Sequence, residues 1–201
     1  MVKIIKNWDD EKVKLKLDEI LNDYDEGELF IEEVFSENIL FDDNKIKNAS
    51  YDQDKGFGLR AVSQDSINFS HNTELSQDAF LMAAASLSTN RNFVRRPIKF
   101  KEHENKLSLY TNQNPINKIS LSEKIKFLNK VNEFARKLDE KVKEVSVSLN
   151  ANYQNIEVFT KNGNVYTDSR PLVRMNINIS VKKKGKIETG SFGMGGRYLY
   201  E

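Results

Sequence analysis

The segment around residue 103 has the residue types and spacing that come closest to a metal site. Glu102 and Glu104 flank His103, and carboxylates on both sides of an imidazole can bind a metal weakly. The other histidine, His71, follows an apolar strand pattern and has no second histidine three or four positions away, as a helical zinc motif requires. We interpret His71 as a surface or turn histidine and Glu102-His103-Glu104 as a solvated charge cluster, with a metal site as the alternative for each.

Four glycines near residue 195 form a G-x-x-G-x-G-G pattern that is followed by Arg197. A phosphate-binding loop of this kind lies between a parallel strand and the N-terminus of a helix. The preceding residues predict antiparallel hairpins instead, so we expect a strand end at which a second backbone approaches closely. The glycines are Gly190, Gly193, Gly195 and Gly196.

Three arginines are candidates for contact with a ligand. Arg60 and Arg174 lie in predicted strands, and Arg197 follows the glycine-rich segment. A guanidinium group can hold a carboxylate through two parallel hydrogen bonds. Arg174 lies on the non-core face of the longest predicted strand, where it either binds a peptide carboxylate or forms an internal ion pair. Of these two arrangements we favour the ion pair.

The composition argues against several classes of partner. The chain has 31 Lys and Arg against 30 Asp and Glu, so no net field attracts nucleic acid or anionic lipid. The lysines at 182–186 are interpreted as a solvated hairpin tip, because single-strand nucleic-acid sites also place aromatic residues among the charges. The lack of cysteine excludes disulfides and thiolate zinc ligands. Without a long apolar run or a signal-peptide pattern, we expect a cytoplasmic protein that binds neither membrane nor nucleic acid.

Three amphipathic helices are predicted to position these residues. The first begins near residue 9 and ends at Gly27. The second covers about 76–89, with Ser76 as its N-cap, and the third begins at residue 120. Ser120-x-x-Glu123 is a capping box, in which each side chain accepts a hydrogen bond from the backbone N–H of the other residue. One wide apolar face is predicted for the third helix. It comprises Phe127, Val131, Phe134 and Leu138, widened by Ile125, Leu128 and Ala135.

Outside the helices the apolar period changes to two, which predicts antiparallel strands. Residues 28–71 read as short strands joined by tight turns, one of them at 42–44. Asn162-Gly163 lies between two alternating runs and is a strong hairpin signal. Residues 173–181 alternate strictly, so we expect one face of that strand to lie on a core.

These elements predict an α+β fold, in which antiparallel sheets have amphipathic helices packed on one face. We expect two subdomains that each run from a helix into a strand meander. The first is predicted over 1–95 and the second over 120–201, joined by a connection over 96–119. The connection holds two of the three prolines and no regular apolar period.

Four segments together resemble the TldD branch of the TldD/PmbA (TldE) metallopeptidase family. Residues 52–63 are similar to a D-x-G-[VF]-G-[VL]-R-A strand of that family, and residues 168–174 are similar to a D-x-R-P-L-V-R segment. Residues 195–201 are similar to the end of a G-G-G-R-x-x-Y-E segment, in which Met194 replaces the first glycine. The segments occur in family order, and the resemblance extends from about residue 9. They are 52–63 (DQDKGFGLRAVS), 145–149 (VSVSL), 168–174 (DSRPLVR) and 195–201 (GGRYLYE).

The resemblance implies the N-terminal half of a zinc metallopeptidase that acts on unfolded or leader peptides. It also implies a dimer, with a homologous TldE/PmbA-like subunit or a second copy as partner. The family's zinc site is an H-E-x-x-x-H helix with a later thiol ligand, in the C-terminal half. This sequence has neither, so we expect no cofactor in this chain, and zinc in the missing C-terminal half. No catalytic or metal-binding residue carries over, and the resemblance leaves open whether this chain acts as an enzyme.

We therefore expect the peptide-binding and assembly portion of a TldD-like metallopeptidase. The expected peptide contacts are Arg60, Arg174 and Arg197, and the expected mode is addition of an extended peptide to a sheet edge. Two alternatives stay open: a stand-alone, non-catalytic binding or assembly module, and the remnant of a split gene. The sequence offers no recognisable set of nucleophile, base and oxyanion hole.

Overall fold

A computed structural model describes residues 4, 10–22, 24–63, 66–87, 101–102, 109–161 and 163–200. These residues form three helices and seven strands, none of the helices being long and apolar enough to cross a membrane. The helices are α1 (Asp10–Leu21), α2 (Gln77–Leu87) and α3 (Leu121–Leu138). The strands are β1 (Glu26–Asp42), β2 (Lys45–Ser63), β3 (Ser66–Asn72), β4 (Lys101–Glu102), β5 (Val142–Thr160), β6 (Asn164–Lys183) and β7 (Lys186–Gly196).

The strands confirm the predicted α+β class. Among the described residues they pair in the order β3-β2-β1-β5-β6-β4, and β7 also pairs with β6. The β2–β3 and β6–β7 pairs are antiparallel, while the two residues of β4 run parallel to β6. Asp43 and Asn44, with φ of 45° and 65°, form the predicted turn between β1 and β2. Gly163 has a φ of 77° in the predicted hairpin turn between β5 and β6, and Asn162 lies outside the described residues.

The strands between α1 and α2 are longer than predicted. The sequence suggested short strands over 28–71, but β1 is 17 residues long and β2 is 19. The strict alternation of buried residues in β1 lapses after Ile31 and resumes at Ile39. In the sequence this interruption separates two extended runs, because a period of two in the apolar residues reports the burial of side chains. Backbone pairing continues there without deep burial, so the strand does not end.

The chain folds into two compact units, each of which is discontinuous in sequence. The subdomains predicted from the sequence are continuous ranges with boundaries at 95 and 119, and they stay a prediction. The compact units instead divide β1, β2, β5 and β6, so that one part of each strand belongs to each unit. Unit 1 comprises Met1–Val34, Asp54–Leu109 and Gln154–Ser169, and unit 2 comprises Phe35–Gln53, Tyr110–Tyr153 and Arg170–Glu201.

In unit 1, α1 and α2 share one apolar core with the strands. Leu17 of α1, Phe80 of α2 and Leu59 of β2 are fully buried there. The Phe80 ring meets the Phe57 ring edge to face, with their centroids 6.2 Å apart. Because the helices pack on alternate residues of the strands, the intervening residues of the strands lie on the other face of the sheet.

The ends of the two helices of unit 1 differ in how well they match prediction. Ser76 is the N-cap of α2, and its Oγ accepts a hydrogen bond from the Ala79 N–H at 3.1 Å, as predicted. Gly27, in contrast, does not end α1. It lies in β1, and a Cβ there would come 2.3 Å from Cδ2 of Leu21, so the missing side chain leaves room for α1 to pack on the strand.

In unit 2, α3 packs on the strands through a different face from the one predicted. Leu128 and Ala135 are buried as expected, but Phe127, Phe134 and Leu138 are exposed. At 100° per residue this exposed stripe is displaced by about 100° from the buried side of the helix. The apolar pattern was therefore correct for a helix and wrong for which residues face the core.

A buried ion pair accounts for the orientation of α3. The Lys124 side chain is 1% exposed, and its Nζ donates hydrogen bonds to both carboxylate oxygens of Glu37, at 2.9 and 2.7 Å. The same Nζ donates to the Ile116 carbonyl at 2.7 Å and lies 5.2 Å from the centre of the Tyr200 ring. Burial and the Glu37 carboxylate raise the pKa of Tyr200, so the phenol stays protonated at neutral pH.

The predicted capping box of α3 is confirmed. Ser120 Oγ accepts from the Glu123 N–H at 3.3 Å, and Glu123 Oε2 accepts from the Ser120 N–H at 2.8 Å and from its hydroxyl at 2.7 Å. The hydrogen bonds from the Ser120 side chain and backbone lower the pKa of Glu123. Because the folded-state pKa is depressed, the contribution of Glu123 is present above the pKa of the unfolded chain and is lost as the pH falls through the folded value.

Removal of Lys124 should be strongly destabilising. Lys124→Met leaves the Glu37 carboxylate buried without its cation, and loss of one partner of such a pair typically lowers the free energy of unfolding by about 3–5 kcal/mol. Urea denaturation measures the loss, with Lys126→Met on the exposed side of α3 as the control. The double variant Lys124→Met with Glu37→Leu should recover much of it. Wild-type stability in Lys124→Met alone would contradict this account.

The capping box gives a smaller, pH-dependent effect. Ser120→Ala should lower the free energy of unfolding by about 1 kcal/mol at neutral pH, since the N-cap hydroxyl is lost. Ser122→Ala, an exposed serine inside the same first turn, is the matched control. The difference between wild type and Ser120→Ala should shrink as acid protonates Glu123. A difference that stays constant through the acid range would argue against the Glu123 half of the box.

Candidate functional site

Arg60 lies on the open face of the sheet in unit 1, above a groove of about 610 Å³. Along the segment 52–63, Phe57, Leu59 and Ala61 are buried in the core. The alternate residues Gly58 and Arg60 face the groove. The Arg60 Nε donates to Glu28 Oε1 at 3.0 Å, and both side chains are partly exposed. The arginine charge is therefore already balanced, so a peptide carboxylate has to compete with Glu28 for it.

His71 lies on the same open face, as an exposed side chain of β3. Its ring stacks on that of Phe69, with centroids 5.6 Å apart and an interplanar angle of 28°. Phe69 in turn lies over Gly58, where an added Cβ would come 3.2 Å from the ring. The interpretation of His71 as a surface histidine is thus confirmed. Of the predicted cluster Glu102-His103-Glu104, Glu102 lies in β4, and His103 and Glu104 lie outside the described residues.

In unit 2, β6 and β7 form a hairpin whose outer strand is exposed along its length. The turn has positive φ at Lys184 (48°) and Gly185 (83°), as two-residue hairpin turns require. The lysines at 182–186 form the tip of this hairpin, as predicted. Within the described part of the chain β7 pairs only with β6, so its other edge presents unpaired backbone N–H and C=O groups.

Arg174 lies across this open strand. In the antiparallel register Arg174 is opposite Gly195 and Asn176 is opposite Gly193. A Cβ on Gly193 would come 2.5 Å from Asn176 Oδ1 and 2.9 Å from Arg174 Nη2. The missing side chain therefore gives the guanidinium group room to lie over the backbone of β7.

Among the described residues, Arg174 does not form the predicted ion pair. Its Nε donates instead to Asn176 Oδ1 at 2.9 Å, and none of the ion pairs found among the described residues includes Arg174. The sequence could not reveal this partner, because Asn176 stood out only as one polar residue of an alternating strand. Its nearness to the guanidinium depends on the β6–β7 register and on Gly193.

The other glycines of the segment have separate roles. Gly195 is the close approach of two backbones that was expected, since a Cβ there would lie 2.4 Å from the Val173 carbonyl oxygen. Gly196 accommodates the ring of Tyr198, and Gly190 faces open space. No helix follows the segment within the described residues, so the arrangement required for a phosphate loop is not formed.

Arg197 has a third environment. Its guanidinium carbon lies 5.1 Å from the centre of the Tyr110 ring, which is a cation–π distance. The three predicted arginines therefore have three different partners: a carboxylate for Arg60, an amide for Arg174 and an aromatic ring for Arg197. Of these, Arg174 and Arg197 belong to unit 2, and Arg60 belongs to unit 1.

The described residues do not fit a catalytic metal ion. No group of three or more His, Asp or Glu side chains comes together among them, and such a site needs at least three protein ligands. Since His103 lies outside these residues, the expectation that this chain lacks the family's zinc site stays a prediction. We derive no catalytic step through a metal here.

Two models of one protein family match this sequence. The PmbA/TldA metallopeptidase domain 1 matches residues 27–90, and the PmbA/TldA metallopeptidase central domain matches residues 114–201. The gap between the two matches, residues 91–113, overlaps the predicted connection over 96–119.

Curated relatives agree with this assignment. A metalloprotease TldD homolog from Buchnera aphidicola subsp. Schizaphis graminum is 33% identical over 178 residues, which are 88% of this chain and 37% of the relative. A metalloprotease TldD homolog from Haemophilus influenzae is 30% identical over 87% of this chain and 37% of its own length. The chain therefore spans less than two-fifths of either of these relatives.

Solved structures share the fold at low sequence identity. A Bacteroides thetaiotaomicron protein, described as a proposed modulator of DNA gyrase, superposes with a TM-score of 0.72 at 12% identity, over 98% of this chain and 46% of that one. TldE from Thermococcus kodakarensis superposes with a TM-score of 0.66 at 16% identity, over 94% of this chain and 42% of that one. The two domain matches and the curated relatives confirm the resemblance seen in the sequence: the chain belongs to the PmbA/TldD metallopeptidase family.

Proposed function

We propose that this chain supplies the peptide-binding and assembly portion of a TldD-like metallopeptidase. The observation that carries the proposal is the open edge of β7, an 11-residue strand that is exposed over nearly its whole length. An extended peptide can pair with such an edge through main-chain hydrogen bonds, which are largely independent of peptide sequence. Unfolded and leader peptides are extended chains of this type.

The two faces of β7 present different groups to an added peptide. On one face Gly193 and Gly195 leave the backbone bare beneath the Arg174 guanidinium and the Asn176 amide. On the other face β7 carries Phe192 and Met194, which are 64% and 51% exposed. We propose that Arg174 holds a carboxylate or carbonyl of the peptide on the bare face.

Arg197 is proposed as a secondary contact at this site, and Arg60 as a separate peptide contact within unit 1. Arg197 follows directly after β7, so its guanidinium can serve a peptide that extends past the end of the strand. Arg60 can bind a carboxylate only by exchanging Glu28 for it, which should make its contribution smaller. Because the three residues have separate environments, each can be tested singly.

We propose that hydrolysis requires zinc ligands other than the described residues, supplied by further polypeptide of the same family. The name metalloprotease carried by the curated relatives supports a proteolytic role, and the fold shared with TldE supports a homologous subunit as partner. A second copy of this chain is the alternative partner. We place the protein in the cytoplasm, without a nucleic-acid or membrane partner.

The role of Arg174 is tested by peptide affinity. The probe is a fluorescent, unstructured peptide of about ten residues with a free carboxylate, and binding is followed by fluorescence anisotropy. Arg174→Ala should weaken binding about tenfold, because a charge-assisted hydrogen bond contributes about 1.5–3 kcal/mol. Lys183→Ala, at the exposed end of the same strand, should bind as wild type. Equal affinity of wild type and Arg174→Ala, with unchanged thermal stability, would refute this contact.

The bare face of β7 is tested by two matched glycine substitutions. Gly193→Ala should displace the Arg174 and Asn176 side chains and weaken the same peptide, while leaving stability nearly unchanged because both side chains are flexible. Gly190→Ala places a methyl group in open space on the same strand and should bind as wild type. If both variants bind equally well, the face over Gly193 does not contact the peptide.

A further inference from the structure

Helix α3 presents an apolar stripe that nothing within the described residues covers. Phe127, Phe134 and Leu138 are 46%, 66% and 66% exposed, and they lie at positions i, i+7 and i+11. Residues at this spacing form one continuous seam along a helix, as in helices that pack against another element. Single exposed apolar residues are common on protein surfaces, whereas a seam of two phenylalanines and a leucine marks an interaction surface.

The strands beside α3 continue this apolar surface. Met194 is opposite Met175 and Phe192 is opposite Ile177 in the β6–β7 register, and opposite residues of an antiparallel pair lie on the same face of the sheet. Met175 and Ile177 pack against the core that contains Leu128 of α3. The face that α3 covers on β6 therefore extends onto β7, where Phe192 and Met194 are left exposed.

A groove of about 270 Å³ joins the two parts of this surface. Phe127 of α3 lines one side, Met194 of β7 lines another, and Met175 and Leu149 lie between them. Tyr198, Leu199 and Tyr200 line it as well. We call the stripe, the exposed pair on β7 and this groove the α3–β7 surface.

We propose that the α3–β7 surface is the docking site for the polypeptide that PmbA/TldD-family relatives carry beyond the two domains matched here. The matched relatives are more than twice as long as this chain, and one of its two matches is to a central domain. The last described residues, 198–200, line the groove itself. Any polypeptide that follows residue 200 would therefore begin beside this groove.

The charges around the stripe indicate the chemistry of the occupant. The exposed charges of α3 are Lys126, Lys130 and Lys137 against Glu123 and Glu133, so the exposed charge of the helix is basic by one. An apolar face with an acidic rim is the complement of this arrangement. The inference deepens the assembly part of the proposed function and rests on it. Arg174 and Gly195 also line the groove, so the docking surface borders the peptide site, which uses the open edge of β7 and its glycine face.

The test uses the lack of cysteine in this chain, which allows thiol labelling at single introduced positions. The chain is co-expressed with the part of the Haemophilus influenzae TldD homolog that lies outside its alignment with this sequence. Complex formation is measured by light scattering after gel filtration. Labelling by a maleimide is then compared for Phe134→Cys, on the stripe, and Leu15→Cys, an equally exposed position of α1 at 67%.

We expect a one-to-one complex in which labelling of Phe134→Cys slows at least tenfold and labelling of Leu15→Cys is unchanged. Phe134→Glu should abolish the complex without loss of stability, since the side chain is already exposed. A complex that leaves both positions equally reactive would overturn the location. No complex, or a homodimer of the free chain that protects Phe134→Cys, would overturn the occupant. Peptide affinity is measured on the free chain, where Phe134→Glu should leave it unchanged because Phe134 does not line the groove, so this proposal and the peptide site fail separately.

Discussion

The buried ion pair between Lys124 and Glu37 is the constraint on which the arrangement of unit 2 depends. A lysine that is 1% exposed is stable only with its charge balanced and its donors satisfied, and Glu37 together with the Ile116 carbonyl provides both. The pair joins α3 to β1 and to the loop before the helix. It therefore sets the rotation of α3, and the rotation places Phe127, Phe134 and Leu138 on the outside.

The rotation of α3 and the asymmetry of β7 together produce two neighbouring surfaces of different character. Beneath α3 the sheet is apolar and ends in the uncovered pair Phe192 and Met194. On the opposite face of the same strand, glycines leave the backbone bare below a guanidinium group. One strand thus separates a surface suited to stable packing from one suited to reversible binding of an extended chain. Such proximity fits a portion of a peptidase that holds substrate while another portion performs the chemistry.

Strand length explains why the two compact units are discontinuous in sequence. Strands β1, β2, β5 and β6 each contain 17 to 20 residues, and each contributes one part to unit 1 and the other part to unit 2. In β6 the change of unit falls between Ser169 and Arg170, inside the family-like segment at 168–174. Conventional linkers between domains are polar and irregular, whereas here the chain passes from one unit to the other as paired strand.

Local patterns in the sequence were sufficient for the elements and for the family. The capping box at Ser120, the cap at Ser76, the turn at 42–44 and the alternation of strands all depend on residues close together in the chain, and the structure confirms them. The tertiary structure alone decided the length of β1, the face of α3 that is buried and the partner of Arg174. Each of these depends on residues far apart in sequence: backbone pairing without burial in β1, Glu37 meeting Lys124, and Gly193 opposite Asn176. Apolar periodicity shows that a helix has a buried side, but a distant charge decided which residues occupy it.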